Sequence, residues 1–376
     1  MWDSSKSTAL RLSSSSLTEL AAELVAIDSV NPELVPGGAG EGELARFVVG
    51  WLTDAGLEVE VEEVAPGRPN VVGRARGSGG GDTLLLNAHM DTVGYEGMEA
   101  PLEPRVENGR LYGRGAYDMK GSLAAIMVAG AEAAQAGLRG DVLVAAVVDE
   151  EVFSIGAEAA ARRYPAHAAI VAEPTELRLV VAHKGFVWME IETKGRAAHG
   201  SRPDLGKDAI VGMGGVLTGL GALAEALLDN PLHPLLGNGS VHASLISGGV
   251  ELSTYPESCV LSLERRTVPG ETIELVEGQV RKIADGAEVR TTFVREPFEV
   301  REDEPVVQAV LRHAGGPEVV GAPFWADSAV FAAAGIPTVV FGPGGEGAHA
   351  QVEWVDLAEL ERCKDVYVAV ARELCA

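Results

Sequence analysis

Four apolar runs in this chain each stop at, or a few residues before, a side chain that can carry charge or bind metal, and that repetition limits the folds open to it. Leu84-Leu85-Leu86-Asn87-Ala88 leads into His89-Met90-Asp91, Val142 to Asp149 into Glu150-Glu151, Ala168 to Ala172 into Glu173, and Thr338 to Gly342 toward His349. Asp118 lies in a glycine-rich loop, Gly113-Arg114-Gly115-Ala116-Tyr117-Asp118-Met119-Lys120-Gly121. In open α/β sheets the carboxyl ends of parallel strands face one crevice, so residues just past those ends converge although far apart in sequence. Carboxylates and imidazoles gathered this way repel one another or go unsatisfied unless a cation holds them. Mixed oxygen and nitrogen ligation suits a divalent metal such as zinc. A histidine at each end of the set and several carboxylates between them supply ligands for two ions with one carboxylate shared. Two metals about 3.5–4 Å apart make a hydrolytic centre.

At 376 residues the chain exceeds what one core usually organises, so two domains are expected. The formal charge of −25 argues against nucleic acid or an anionic membrane surface as partner, since both need basic patches. Bound metal would neutralise part of it. Cys259, Cys363 and Cys375 are an odd number without CxxC spacing, which reads as a reducing compartment and no disulfide framework. Met1 to Ser16 is polar and serine-rich, unlike a secretory signal, and no run is expected to span a membrane. The resulting expectation is a cytoplasmic protein.

Ser16 with Glu19 forms a capping box that opens a helix with Leu17, Leu20, Ala21, Leu24 and Ile27 on its apolar face. A second helix is expected through Leu44, Val48 and Leu52 to Gly56, then β-type stretches at 58–64, 70–76 and 83–88. From Lys120 to Gly137 the chain is alanine-rich and helical, and strands and helices alternate as far as Glu173. After His183 the texture changes. Phe186 to Thr193 alternates like a half-buried strand, Ala209 to Leu228 is a long apolar helix, and 241–247 and 258–264 read as paired strands. Helices at 305–314, 328–334 and 357–374 and a strand at 338–341 restore the first texture. The expected organisation is a catalytic domain in two parts, 1–184 and 295–376, around a two-layer α+β insert at 185–294.

Together these motifs resemble the metallopeptidase and deacylase family that contains acetylornithine deacetylase, succinyl-diaminopimelate desuccinylase, carboxypeptidase G and aminoacylase. The resemblance runs from about Leu17 onward. It rests on the HxD of His89 and Asp91, the GRGxxDMKG loop, the Asp149-Glu150-Glu151 run, Glu173-Pro174 and the late His349, in the family's order. It implies a mixed-sheet α/β zinc-peptidase domain with an inserted lid and dimerisation domain, two divalent ions per chain (zinc, with cobalt or manganese as alternatives) and a homodimer. His89, Asp118 and Glu173 would bind one ion and Asp118, Glu151 and His349 the other. Asp91 would accept the ring N–H of His89. Glu150 would be the general base, with Asp149 the less favoured candidate. His199, in Ala197-Ala198-His199-Gly200-Ser201, resembles a lid histidine that stabilises the oxyanion, supplied from the other subunit in dimeric members.

Arg266, rather than Arg265, resembles the arginine that binds a substrate carboxylate. Asp327 would contact a substrate amine or cap a helix, the backbone at Gly344 would approach substrate, and Glu353 would support the ligands. Ser253 stands where many members carry asparagine, and Val152-Phe153-Ser154 is bulkier than the usual turn. The implied activity is removal of the acyl group from an N-acyl amino acid, acetylornithine deacetylase-like, with a desuccinylase, carboxypeptidase or dipeptidase as alternatives. A non-catalytic relative would have no reason to keep Glu150 beside a complete ligand set.

Overall fold

A computed structural model describes residues 16–229 and 231–376. All of the serine-rich start except Ser16 lies outside the described residues. The chain divides into two compact units, one running to Val181 with Val300–Val319 and Ala326–Ala376, the other Ala182–Glu299 with Val320–Trp325. The short return at Val320–Trp325 carries no mark in the sequence texture.

The first unit is built on a mixed sheet in the spatial order Glu58–Ala65, Arg68–Ala75, Val142–Val147, Leu84–His89, Ala168–Val171, Thr338–Val340 and Leu179–His183. Four neighbours, from Val142–Val147 to Thr338–Val340, run parallel, and the remaining strands pair antiparallel at either end. All four are buried along their length, as strands covered on both faces must be, which is why they appear in the sequence as unbroken apolar runs. The alanine-rich helix Gly121–Gln135 packs against them closely. A Cβ on Gly130 would come within 2.3 Å of the Val144 side chain. The expected capping box is present, with Glu19 N–H donating to Ser16 Oγ at 3.3 Å and Ser16 N–H to Glu19 Oε2 at 2.7 Å.

A small antiparallel sheet joins Gly345–Glu346, Trp354–Asp356, Arg110–Tyr112 and Arg105–Glu107. These strands are too short to show alternation in the sequence. Their pairing matters because the loop between Gly345–Glu346 and Trp354–Asp356 carries His349, and Val355 pairs with Leu111 just before the Asp118 loop.

The second unit is the two-layer insert. Its antiparallel sheet runs Ser240–Gly248, Ser258–Thr267, Gly185–Lys194, Glu288–Arg295. Inward residues Val187, Met189, Ile191, Leu261 and Leu263 meet Met213, Val216 and Leu220 of helix Ala209–Leu228 and Val276 and Val280 of helix Ile273–Ala284. One expectation needs correcting. Ala209–Leu228 is, by length and composition, apolar enough to cross a membrane. It packs one side on the sheet and leaves the other exposed, with Val211 and Leu228 standing 74% and 70% accessible.

Candidate metal centre

The parallel strands deliver their chemistry at one end. His89 is the last residue of its strand, Asp149 to Glu151 form the turn after Val142–Val147, and Glu173 stands two residues past Val171. That turn is tight. Asp149 adopts φ 71°, and its carbonyl accepts the N–H of Phe153 at 3.1 Å and of Ser154 at 2.5 Å. Ser154 and His349 are also left-handed, at φ 52° and 61°.

Asp118 is the pivot. Its Oδ1 lies 3.1 Å from His89 Nε2, and its Oδ2 lies 3.3 Å from His349 Nε2. Each histidine then faces a further glutamate, His89 with Glu173 Oε1 at 3.7 Å and His349 with Glu151 Oε2 at 3.1 Å. Two groups, His89 with Asp118 and Glu151 and His89 with Glu150 and Glu173, each gather ligand atoms within 4.8 Å of one another. Glu151 Oε1 and Glu173 Oε1 are buried and accept no hydrogen bond. Buried lone pairs without a donor are costly, and a divalent cation is the partner that fits a mixed carboxylate and imidazole set. The residues present therefore fit two ions.

The electrostatics point the same way. Burial, reinforced by Glu173, pushes the Glu150 carboxyl well above the usual carboxylate range, and burial also lifts Glu173 and Glu151. Burial opposes charge on His89, yet Glu173 and Asp118 outweigh it and hold the imidazole well above its ordinary value. Hydrogen bonds to Asp118 and Glu151 push His349 up to about 10. Burial would raise Asp118, but its bonds to the two histidines hold it below the carboxylate range. Four carboxylates crowd two imidazoles here, and the excess negative charge is what a pair of cations offsets.

Asp91 does not do what was expected of it. His89 Nδ1 lies 2.9 Å from the main-chain oxygen of Asp91, while the carboxylate Oδ1 is 3.7 Å away, beyond hydrogen-bond reach. The main-chain carbonyl orients the ring instead. The Asp91 carboxylate accepts the N–H of Glu150 at 3.1 Å and of Glu151 at 3.2 Å.

Glu353 holds the loop that presents Asp118. Its carboxylate accepts the N–H groups of Gly115, Tyr117 and Asp118 at 3.1, 2.9 and 3.0 Å and pairs with Arg114 Nη1 at 2.5 Å, the bonds to Gly115 and Arg114 out of solvent and the other two partly so. Glu353→Ala leaves a buried guanidinium and three amides without their acceptor. It is expected to cost about 3–5 kcal/mol of stability, as breaking a buried pair does, read as a lower midpoint in a denaturant titration. A midpoint within error of the parent would show that the loop holds itself.

Two substrate-contact expectations also change. The N–H of Gly344 donates to Glu359 Oε2 at 2.7 Å, so it is not free for a ligand, and its carbonyl already accepts from Asp356. Asp327 is fully buried, its carboxylate does not cap the following helix, and burial pushes it up to about 7 against the opposing pull of Ser154 and Asn87 beside it. In the second unit Arg266 pairs with Glu264 at 2.7 Å and lies 5.0 Å over the Phe186 ring, about a third exposed. Arg265 is wholly buried against Glu271, so it is structural rather than solvated. His199, also in the second unit, is exposed. The N–H of Ser201 donates to its Nδ1 at 3.2 Å, which makes that nitrogen an acceptor and puts the ring proton on Nε2. Ser253 accepts the N–H of Gly200 through its carbonyl, tying the departing loop to the His199 turn. Asn31, Glu41 and Arg68, none of them marked by any motif in the sequence, crowd behind Asp91.

A family model for peptidase family M20/M25/M40 matches residues 85–373. An acetylornithine deacetylase of Myxococcus xanthus is 32% identical over 381 residues, covering 94% of this chain and 96% of that protein. Among solved structures, an M20 family metallo-carboxypeptidase from Sulfolobus solfataricus aligns with a TM-score of 0.78 at 18% identity, covering 96% of this chain and 99% of that one. A dinuclear metal binding peptidase of the M20 family from Bacillus subtilis aligns with a TM-score of 0.72 at 18% identity, covering 96% and 97%. At these identities the solved structures speak for the fold alone.

Proposed function

Because the chain belongs to peptidase family M20/M25/M40, hydrolases acting on amide bonds, we propose that it removes the acyl group from an N-acyl amino acid, as the similar acetylornithine deacetylases are named for doing. One observation carries the reading: the two oxygens of Asp118 face two different histidines, each backed by its own glutamate. His89, Asp118 and Glu173 would hold one ion and Asp118, Glu151 and His349 the other. Zinc is the proposed metal, with cobalt or manganese able to replace it. Bound there, the pair supplies positive charge that polarises an amide carbonyl and acidifies water.

The rest is done by side chains. Glu150, close to His89 and Glu173 and with its proton affinity raised by burial, takes the proton of the attacking water and returns it to the leaving amine. His199, with its proton on Nε2, donates to the oxyanion, and Arg266 takes the substrate carboxylate. Three free, buried cysteines support a cytoplasmic setting. The test is a panel of N-acetyl, N-succinyl and dipeptide substrates with added zinc, cobalt or manganese. Highest kcat/KM on N-acetylornithine is expected. Preference for a dipeptide or an N-succinyl substrate overturns the choice of acyl group.

The proposed assembly is a homodimer formed through the insert. Ser240–Gly248 is an edge strand paired on one side only, and its Leu245 and Ile246 are exposed beside the bare face of helix Ala209–Leu228. An unpaired apolar edge invites isologous pairing with a second copy. His199 would then serve the substrate held by the neighbouring copy. Mixing inactive Glu150→Ala with inactive His199→Ala under conditions of subunit exchange is expected to regain activity, because one of the two sites combines an intact Glu150 with an intact His199. No regain despite exchange, or a monomer at working concentration, rules that out.

A further inference from the structure

Behind the centre, on the side away from the ligand atoms, lie three buried carboxylates, Glu41, Asp91 and Asp149, held by one arginine and one asparagine. None is more than 6% exposed. Arg68 reaches Glu41 with two N–H groups, Nε at 2.9 Å and Nη2 closer still, and reaches Asp149 Oδ1 with Nη1 at 2.7 Å. Asn31 Nδ2 donates to Asp91 Oδ2 at 2.8 Å and to Asp149 Oδ1 at 3.0 Å. The orientation of that amide is not free. Asn31 Oδ1 accepts the N–H of Glu33 at 3.0 Å, and a flipped amide would aim an oxygen at two carboxylates.

The Asp91 carboxylate receives two consecutive peptide N–H groups, one on each oxygen. Those peptides flank the Cα of Glu150, so fixing both planes fixes the direction in which Glu150 leaves the chain. Such control matters at this point. Glu150 and Glu151 are chemically alike and adjacent, so the direction in which each leaves the backbone decides which carboxylate faces the reacting water. Misplacement of a reacting group by about 1 Å can cost on the order of 100-fold in rate.

We propose that Asn31 is a positioning residue: by tying Asp91 to Asp149 at both ends of the turn, it holds Asp91 as a two-point clamp on the Glu150–Glu151 backbone. This rests on the roles given above to that pair. Arg68, itself held by Glu41, donates to the same Asp149 Oδ1, so the clamp has a fixed base. A merely structural network would lower stability when cut and leave each folded molecule as active as before.

The experiment compares Asn31→Ala and Asn31→Ser with the parent as full-length, zinc-loaded protein. Amide hydrogen exchange of the peptide spanning Asp149 to Val152 is read by mass spectrometry, alongside metal content, kcat and KM. In Asn31→Ala the Glu150 and Glu151 amides are expected to exchange about tenfold faster or more while strand Val142–Val147 keeps its rates. Two ions per chain should remain, kcat should fall about 10- to 100-fold and KM should stay within about threefold. Asn31→Ser, keeping one donor, should recover part of both effects, and it carries the test alone if the alanine variant does not fold. Unchanged exchange at Glu150 and Glu151 overturns the clamp and leaves the proposed hydrolysis untouched. Faster exchange with parental kcat overturns the link to catalysis. A parent without hydrolase activity overturns the proposed function itself.

Discussion

Stripping divalent ions from the protein is expected to abolish amide hydrolysis and added zinc or cobalt to restore it, whereas Asp118→Ala is expected to be restored by neither. Asp118 is shared between the two halves of the centre. With one oxygen at each histidine it belongs to both halves of the centre, so its loss removes a ligand from each position at once. The remaining imidazoles and glutamates still repel and attract one another in the same buried space, but neither half retains three ligands in place. Metal content is expected to fall from about two per chain to below one, and kcat/KM by about 1,000-fold or more, since metal stabilisation of a hydrolytic transition state is worth several kcal/mol. Full activity in metal-free protein, or Asp118→Ala that binds two ions normally, would sink the dinuclear reading.

Glu150→Ala and Glu151→Ala separate the two jobs at the turn. The first is expected to keep close to two metals while losing about 100-fold or more of kcat, the usual weight of general acid and base catalysis. The second is expected to lose a metal. Metal analysis is the deciding measurement because Glu150 also stands within ligand distance of His89 and Glu173, so geometry alone permits it to bind. If Glu150→Ala loses an ion and Glu151→Ala keeps both, the roles are exchanged.

The centre was legible because each of its residues follows a stretch with a clear signature. Runs such as Leu84 to Ala88 are unbroken because both faces of the strand are covered, and parallel strands bring their far ends together without any local signal of the meeting. Long elements with sharp caps also came through, and Ala209–Leu228 and Leu357–Leu374 lie where their texture puts them. What the apolar helix did not disclose is which side faces solvent, since glycine, alanine and leucine surround it with little contrast. The support behind the centre was hidden for another reason. Arg68 and Glu41 belong to residue types that usually face water, and a buried charge pair leaves no periodic trace. The role of Asp91 was misplaced because the spacing HxD says the two residues are neighbours, not which oxygen meets the ring.

Asp149, Ser154 and His349 all occupy backbone conformations that suit glycine better than any side chain with a Cβ. At His349 that conformation costs of order 1 kcal/mol or more, tolerated because the imidazole must reach Asp118 and Glu151. A directed-evolution campaign that selects only for survival on heating would therefore be drawn toward glycine at this position, gaining robustness while discarding a ligand of the centre. For this scaffold, heat selection has to be run on living catalysts, with turnover scored after every round.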